Sequence, residues 1–249
     1  MRSFRSVSYR GATLRIASSR FDALLRELAK QRDLLEAYVR LHPAYLVAMT
    51  PLDPLPAAPP IAVTMARAAW KVGVGPMAAV AGAIAEAAGR AAVRDGAAEA
   101  IVENGGDIWL ASEAEILVGL YAGAHPLSGK IALRLPPGRL PMAVCSSSSR
   151  MGHSLSLGDC DLATVVARDG ALADAAATLA CNLVREPEDV ERALEVVSAI
   201  PGIEGLLIVS GQRVGVAGDL PELVRHDDPG LAGKVSRDAR SGFDATPAG

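Results

Sequence analysis

The sequence predicts an α+β fold with antiparallel sheets and packed helices, and three observations carry that prediction. Short alternating apolar segments come in pairs joined by glycine turns, as at 4–16, 97–111 and 205–217, which is the pattern of hairpins. Long stretches with apolar residues at helical spacing separate these pairs. The strict strand–helix–strand alternation that marks a parallel sheet is missing. A chain of 249 residues, half of them hydrophobic, suits two subdomains sharing one core.

Composition narrows the function classes. Aromatic residues are only 4% while Ala and Gly abound, which favours close backbone packing over bulky aromatic pockets. A net charge of −3 gives no basic face for nucleic acid. The arginines at 2, 5, 10, 15 and 20 alternate with Ser, Tyr and Leu and read as a solvated strand face. Three cysteines without a C-x-x-C pair argue against a disulfide framework or a structural zinc site. A soluble protein in a reducing, cytoplasmic setting follows. No apolar run approaches the ~20 residues that span a membrane, and no signal-type segment opens the chain. Homo-oligomerisation stays open.

Taken in order, 4–16 reads as two short strands turning at Gly11. Ser19-x-x-Asp22 has the form of a capping box. Behind it Phe21, Leu24, Leu25, Leu28, Leu34, Leu35 and Val39 define one helical face, with Arg26, Glu27, Lys30, Arg32, Asp33 and Glu36 on the others. The run 51–60, P-L-D-P-L-P-A-A-P-P, cannot be helical and predicts an extended connector between subdomains. After the segment 62–70, Gly73 and Gly75 precede Pro76, which suits the first position of a helix reaching about Val93. A glycine loop at a helix N-terminus could hold a phosphate, or could be a tight turn with close packing. The strand 97–103 ends in E-N-G-G-D, where Asn104-Gly105 is a hairpin signal. The acids Glu103 and Asp107 on either side could be turn caps or could face a ligand. Strands at 116–121, 130–135 and 142–145 follow, with His125 read as an exposed loop histidine.

The stretch from Cys145 to Asn182 organises the chain. A Ser/Gly loop holding Ser147, Ser148 and His153 leads into a strand at Leu162–Ala167 and an alanine-rich helix from Ala171. On that helix Asp174 and Thr178 are four residues apart and share a face, with Asn182 one turn further on. A carboxylate over a hydroxyl offers two hard oxygens, enough for a magnesium that completes its shell with water and phosphate. The alternative is a helix whose Asp and Thr bond to nearby backbone. Cys145 and Cys160 could be packing residues or could carry sulfur. A helix at 187–198, strands at 205–209 and 213–217 and a short acidic end complete the fold. Residues 226–249 are polar, without periodicity, and read as a mobile tail.

Four motifs in order, V-G-V-G-P-M-A-A-V-A-G-A-I-A, E-N-G-G-D-I, G-H-S-L-S-L-G-D-C-D-L-A-T-V-V-A and A-L-A-D-A-A-A-T-L-A-C-N, resemble the soluble, functionally uncharacterised branch of the ApbE-like superfamily. The resemblance covers most of residues 1–225. It implies a single domain of two intimately packed T-fold-like subdomains with a ligand cleft between them. The better-known branch transfers FMN from FAD to a threonine of a target protein, with Mg2+ at the pyrophosphate. By that resemblance Asp174 and Thr178 would be metal ligands, and His153 and Asp174 catalytic. By the same resemblance Asn104, Gly105, Gly106 and His153 would bind FAD, FMN or another nucleotide, and the glycine loop of Gly73 and Gly75 and the polar loop of Ser147 and Ser148 read as further cofactor-binding residues. Two departures point to binding more than to transfer: G-V-G-P-M lacks the family's lysine, and Ser154-Leu-Ser replaces an Asp-Pro pair. Some members of the branch are linked with assimilation of sulfide into homocysteine, which implies a sulfur metabolite or an accessory role as the alternative.

Overall fold

The computed structural model describes residues 2–149, 159–228, 230 and 234. Eight strands form one continuous antiparallel sheet in the order β1 (Arg5–Tyr9), β2 (Ala12–Ser18), β3 (Ala100–Asn104), β4 (Asp107–Ala111), β7 (Met142–Ser147), β8 (Leu162–Ala167), β9 (Ile203–Ser210), β10 (Arg213–Gly218). A smaller sheet orders β11 (Glu222–Arg225), β6 (Ile131–Leu135) and β5 (Ile116–Gly119), also antiparallel. The expected α+β class is the observed one. Its two halves repeat one order of elements, two strands, then helices, then two strands. β1 to β4 make one half and β7 to β10 the other, joined where β4 pairs with β7.

One face of the large sheet is covered by helices. α4 (Val80–Arg94) packs on β3 and β4, α5 (Gly170–Leu183) on β7 and β8, and α6 (Val190–Ser198) on β9 and β10. An outer tier, α1 (Phe21–Leu41) and α3 (Pro60–Val72), lies on α4 and α5. Glycines make the closest contacts. A Cβ on Gly82 would lie 2.1 Å from the Gly170 carbonyl oxygen, and one on Gly89 would lie 2.2 Å from the Trp109 ring. These two glycines of α4 are therefore where α5 and Trp109 fit. The other face of the sheet carries Ile101, Leu110, Val144, Val166 and Leu207, which pack against Ile116, Val118, Leu133 and Leu135 of the small sheet.

Several boundaries differ from the sequence reading for physical reasons. The Ser19-x-x-Asp22 capping box does not form. Arg20 is the N-cap of α1 and no side chain caps it, while Ser18 Oγ accepts from the Arg20 N–H at 3.1 Å. Arg32 is buried, its guanidinium donating to the Arg10 carbonyl at 2.7 Å, and Leu34 takes an exposed place instead. The helix α2 (Pro43–Val47) and the strand β11 are too short to show a period. The proline-rich connector runs along the outer tier: Tyr38 Oη accepts from the Leu55 N–H and Asp53 accepts from the Trp70 indole. Among the described residues no single helix is long and apolar enough to cross a membrane.

Candidate functional site

The two glycines after β3 form the hairpin turn. Gly105 (φ +67°) and Gly106 (φ +102°) are its central residues, and Asn104 pairs across to Asp107. Positive φ at both positions is what a two-residue turn needs. The turn thus sits one residue later than the Asn-Gly signal suggested, which leaves Asn104 and Asp107 as cross-strand neighbours. Their side chains share the helical face with Val102 and Trp109. Glu103 points the other way and its Oε1 accepts from the Gly106 N–H at 3.0 Å.

Asp174, in the second turn of α5, meets this hairpin tip. It is buried, and its Oδ2 accepts from the Gly82 N–H at 2.9 Å. Gly82 lies in the first turn of α4, where backbone N–H groups have no partner within the helix. The carboxylate thus occupies the N-terminus of α4, which starts at Val80 behind a 3-10 turn at Pro76–Ala79 and not at Pro76 as the sequence suggested. Burial pushes its pKa up to about 7, and the Gly82 and Ala81 N–H groups oppose that rise. Asp107 is pushed well above the carboxylate range, by burial first and then by the Asp174 charge; the Cys145 thiol and Ser146 N–H oppose the rise, and Glu103 adds to it. Two buried oxygens here have no donor, Asp107 Oδ1 and Asn104 Oδ1, while the Asn104 amide donates to the Ala81 carbonyl at 3.2 Å.

A cavity of about 850 Å³ starts between the two sheets and wraps round the hairpin tip to α5. Its polar end is lined by Glu103, Gly105, Gly106, Asp107, Ser146, Ser147, Ser148, Asp174 and Thr178. Between the sheets it runs over Ile101, Leu110 and Val144 on one wall and β5 on the other, with Arg2, Arg15, Glu115 and Lys234 also in its lining. A Cβ at Gly105 would meet nothing within 4 Å, so that backbone stands open to the cavity.

The fold therefore brings Asp174, Thr178, Gly105, Gly106, Ser147 and Ser148 together. Three expected residues lie elsewhere. Gly73 is the left-handed cap that ends α3, and Gly75 packs so closely on Ala48 that a Cβ would lie 1.7 Å from its carbonyl oxygen. Neither glycine lines the cavity. Asn104 faces α4, because strand alternation turns it away from Glu103. His153 lies outside the described residues. Asp107, which the sequence leaves open between a turn cap and a ligand-facing acid, lines the cavity. Its signal was an acid directly after a Gly-Gly turn, a place where turn chemistry alone is content with Asn, Gly or Ser.

Cys145, Cys160 and Cys181 are buried free thiols. Burial, then the neighbouring Asp107 and Asp174, pushes the Cys145 thiol up; a hydrogen bond with Cys181, then burial, does the same to Cys160. Groups so placed pack and do not react, which removes the reason for giving Cys145 and Cys160 a sulfur-carrying role. His125 is tied to backbone at both ring nitrogens, 2.7 Å from the Gly211 carbonyl and 3.2 Å from the Leu127 N–H.

Comparison with known proteins places the chain. The family described as AbpE bacteria matches residues 9–198. The chain belongs to this ApbE-like family. A UPF0280 protein of Methanospirillum hungatei is 43% identical over 194 residues, which cover 78% of each chain. Another, from Methanococcus maripaludis, is 33% identical over 92% of this chain and 95% of its own. The crystal structure of the ApbE protein of Thermotoga maritima is similar in fold, with a TM-score of 0.56 over 95% of this chain and 100% of that one at 12% identity.

Proposed function

We propose that this ApbE-like protein binds a flavin or related nucleotide together with Mg2+ in the cavity, with phosphoryl chemistry at the pyrophosphate. One observation carries the reading. Two carboxyl groups, Asp174 and Asp107, are buried close enough to feel each other's charge, both line a large cavity, and Asp107 Oδ1 has no donor. Burying two acids together is costly unless a proton or a cation offsets the charge. Among the described residues no three His, Cys, Asp or Glu side chains come together to hold a metal. The donor set is instead the carboxylates of Asp174 and Asp107 and the Thr178 hydroxyl, all hard oxygens at the cavity. That fits magnesium, which binds through one or two carboxylates and leaves positions for water and phosphate.

Bound there, Mg2+ would supply Lewis-acid stabilisation of charge on the pyrophosphate oxygens. The chain's own residues have separate tasks. The α4 N-terminus orients Asp174 by holding one of its oxygens. The exposed backbone at Gly105–Gly106 and the hydroxyls of Ser147 and Ser148 face the phosphate region. The aliphatic slot between the sheets accepts a flat ring and keeps water from it. Support comes from the cavity's combination of aliphatic walls with the buried acids and from the motifs shared with the ApbE-like superfamily.

The test is titration of FAD into the wild-type protein and into Asp174→Ala, each with Mg2+ and with a chelator. Magnesium is expected to strengthen binding of the wild type by about tenfold or more and to leave the variant unchanged. Equal magnesium dependence in the two proteins would overturn the reading.

A further inference from the structure

Arg2, Arg15 and Lys234 are the arginine and lysine side chains that line the cavity among the described residues, and they differ in what already holds them. Arg2 pairs with Glu99 at 2.7 Å and donates to the Glu115 carbonyl at 2.8 Å. Lys234 pairs with Asp228 at 2.5 Å. Arg15 has no carboxylate partner among the described residues, and its hydrogen bond goes to the neutral Lys234 carbonyl at 3.4 Å. That is long for an N–H···O bond. A half-buried guanidinium with five donors thus commits one of them, weakly.

The register of the first sheet strands explains where this group stands. Leu14 and Ile16 of β2 join the core under the helices, so Arg15 between them projects on the opposite face, toward the cavity. Its cross-strand neighbour is Glu103, whose Oε1 accepts from the Gly106 N–H. The guanidinium carbon of Arg15 lies 4.2 Å from the Phe4 ring centroid. Stacking uses the flat face of a guanidinium and leaves its N–H edges to point elsewhere. Arg15 is one strand across and two residues down from Gly105, roughly 8 Å between Cα atoms by strand spacing. An arginine side chain reaches the space before the turn from there. The acids at the turn are held by neutral groups: Asp174 by the Gly82 N–H, and Asp107 by the Cys145 thiol and Ser146 N–H.

We propose that Arg15 is the anion-binding residue of this cavity, and that the ligand it selects is a phosphate ester whose oxygens displace the Lys234 carbonyl. The inference rests on the reading of the cavity given above and deepens it by naming the group that recognises phosphate. A hydrogen bond from a guanidinium to an anionic oxygen is shorter and about twice as strong as one between neutral groups. The exchange therefore favours phosphate over a carbonyl at 3.4 Å. The planar fork meets two phosphate oxygens at once, and Phe4 holds it ready to do so. A phosphate can face a cation at Asp107 and Asp174 on one side and Arg15 on another. A ligand without phosphate offers Arg15 nothing.

Calorimetric titration of the full chain with FMN, riboflavin and inorganic pyrophosphate, each with Mg2+, tests the proposal. FMN and riboflavin differ only in the phosphate. The wild type is expected to bind FMN at least about tenfold more tightly than riboflavin. Arg15→Gln is expected to lose that preference, to keep the riboflavin affinity, and to weaken pyrophosphate binding by about tenfold or more. Arg15→Lys restores the charge without the fork and is expected to recover part of both losses, which a purely structural role for the side chain would not produce. Melting curves of both variants are expected to match the wild type. Equal binding of FMN and riboflavin by the wild type overturns the role of Arg15 and leaves the flavin reading standing. So does an Arg15→Gln protein that keeps its FMN preference and its pyrophosphate affinity. Arg15-dependent binding of pyrophosphate with neither flavin bound does the reverse. A wild type that binds none of the three overturns both.

Discussion

The two faces of the eight-stranded sheet solve the same problem in opposite ways. The helical face is sealed by small residues: Ala and Gly let α4, α5 and the sheet approach until backbone touches backbone. The other face is covered with larger aliphatics from only three short strands, and the uncovered part becomes the cavity. The acids sit where the two meet, at the tip of the β3–β4 hairpin. Tight packing on one side fixes Asp174, and loose cover on the other gives it something to meet. The lesson is that an alanine-rich helix here provides rigidity for a site, and the space for that site comes from a neighbouring layer.

The strongest way to break this contrast is to add volume to the sealed face. Gly82→Val puts a side chain where a Cβ already lies 2.1 Å from a carbonyl oxygen, and is expected to cost about 3 kcal/mol or more in denaturant unfolding. Gly105→Ala meets open space and bears only the strain of a positive φ, about 1 to 2 kcal/mol. Comparable losses from the two would mean that the faces are equally packed.

The next effect is electrostatic. With divalent cations chelated, folded Asp174 keeps its proton up to about pH 7, while the unfolded chain releases it near the ordinary value of 3.8. Between these values the folded state binds more protons, so stability falls as pH rises, by at most about 1.4 kcal/mol per pH unit for one proton. Above pH 7 this contribution is flat. Asp174→Asn keeps an acceptor for Gly82 and is expected to lessen the slope in urea melts between pH 4 and 7, leaving the part that Asp107 contributes with the same sign. Added Mg2+ is expected to raise the melting temperature of the wild type at pH 8 and to leave that of Asp174→Asn unchanged. The smallest effect belongs to the open side. Leu117 on β5 is 42% exposed, and Leu117→Ala is expected to change stability by less than about 0.5 kcal/mol.

Much of this was legible in the sequence. Hairpins, the long helices and the Asp174–Thr178 stripe follow from periods of 2 and 3.6, which local residues dictate. What was not legible depends on partners distant in the chain. Arg32 looked solvent-facing until Arg10, brought over by the first hairpin, offered its carbonyl. Gly73 and Gly75 carry the same local signature as a phosphate loop, and only the approach of Ala48 shows that the space is taken. Asp107 became a site residue because Asp174, 67 positions away in the chain, folds against it. Strand β11 is four residues long and gains its structure from β6 alone.

Strand β4 passes from the acidic tip straight into the sealed layer, so Trp109 is buried two residues beyond Asp107, while the other tryptophan, Trp70, is exposed on α3. The two indoles therefore emit at different wavelengths, and only the bluer one stands a short step behind the cavity wall. An isoalloxazine ring entering the slot is expected to quench the Trp109 emission. Occupancy could then be followed with no label attached, by light the molecule already gives off.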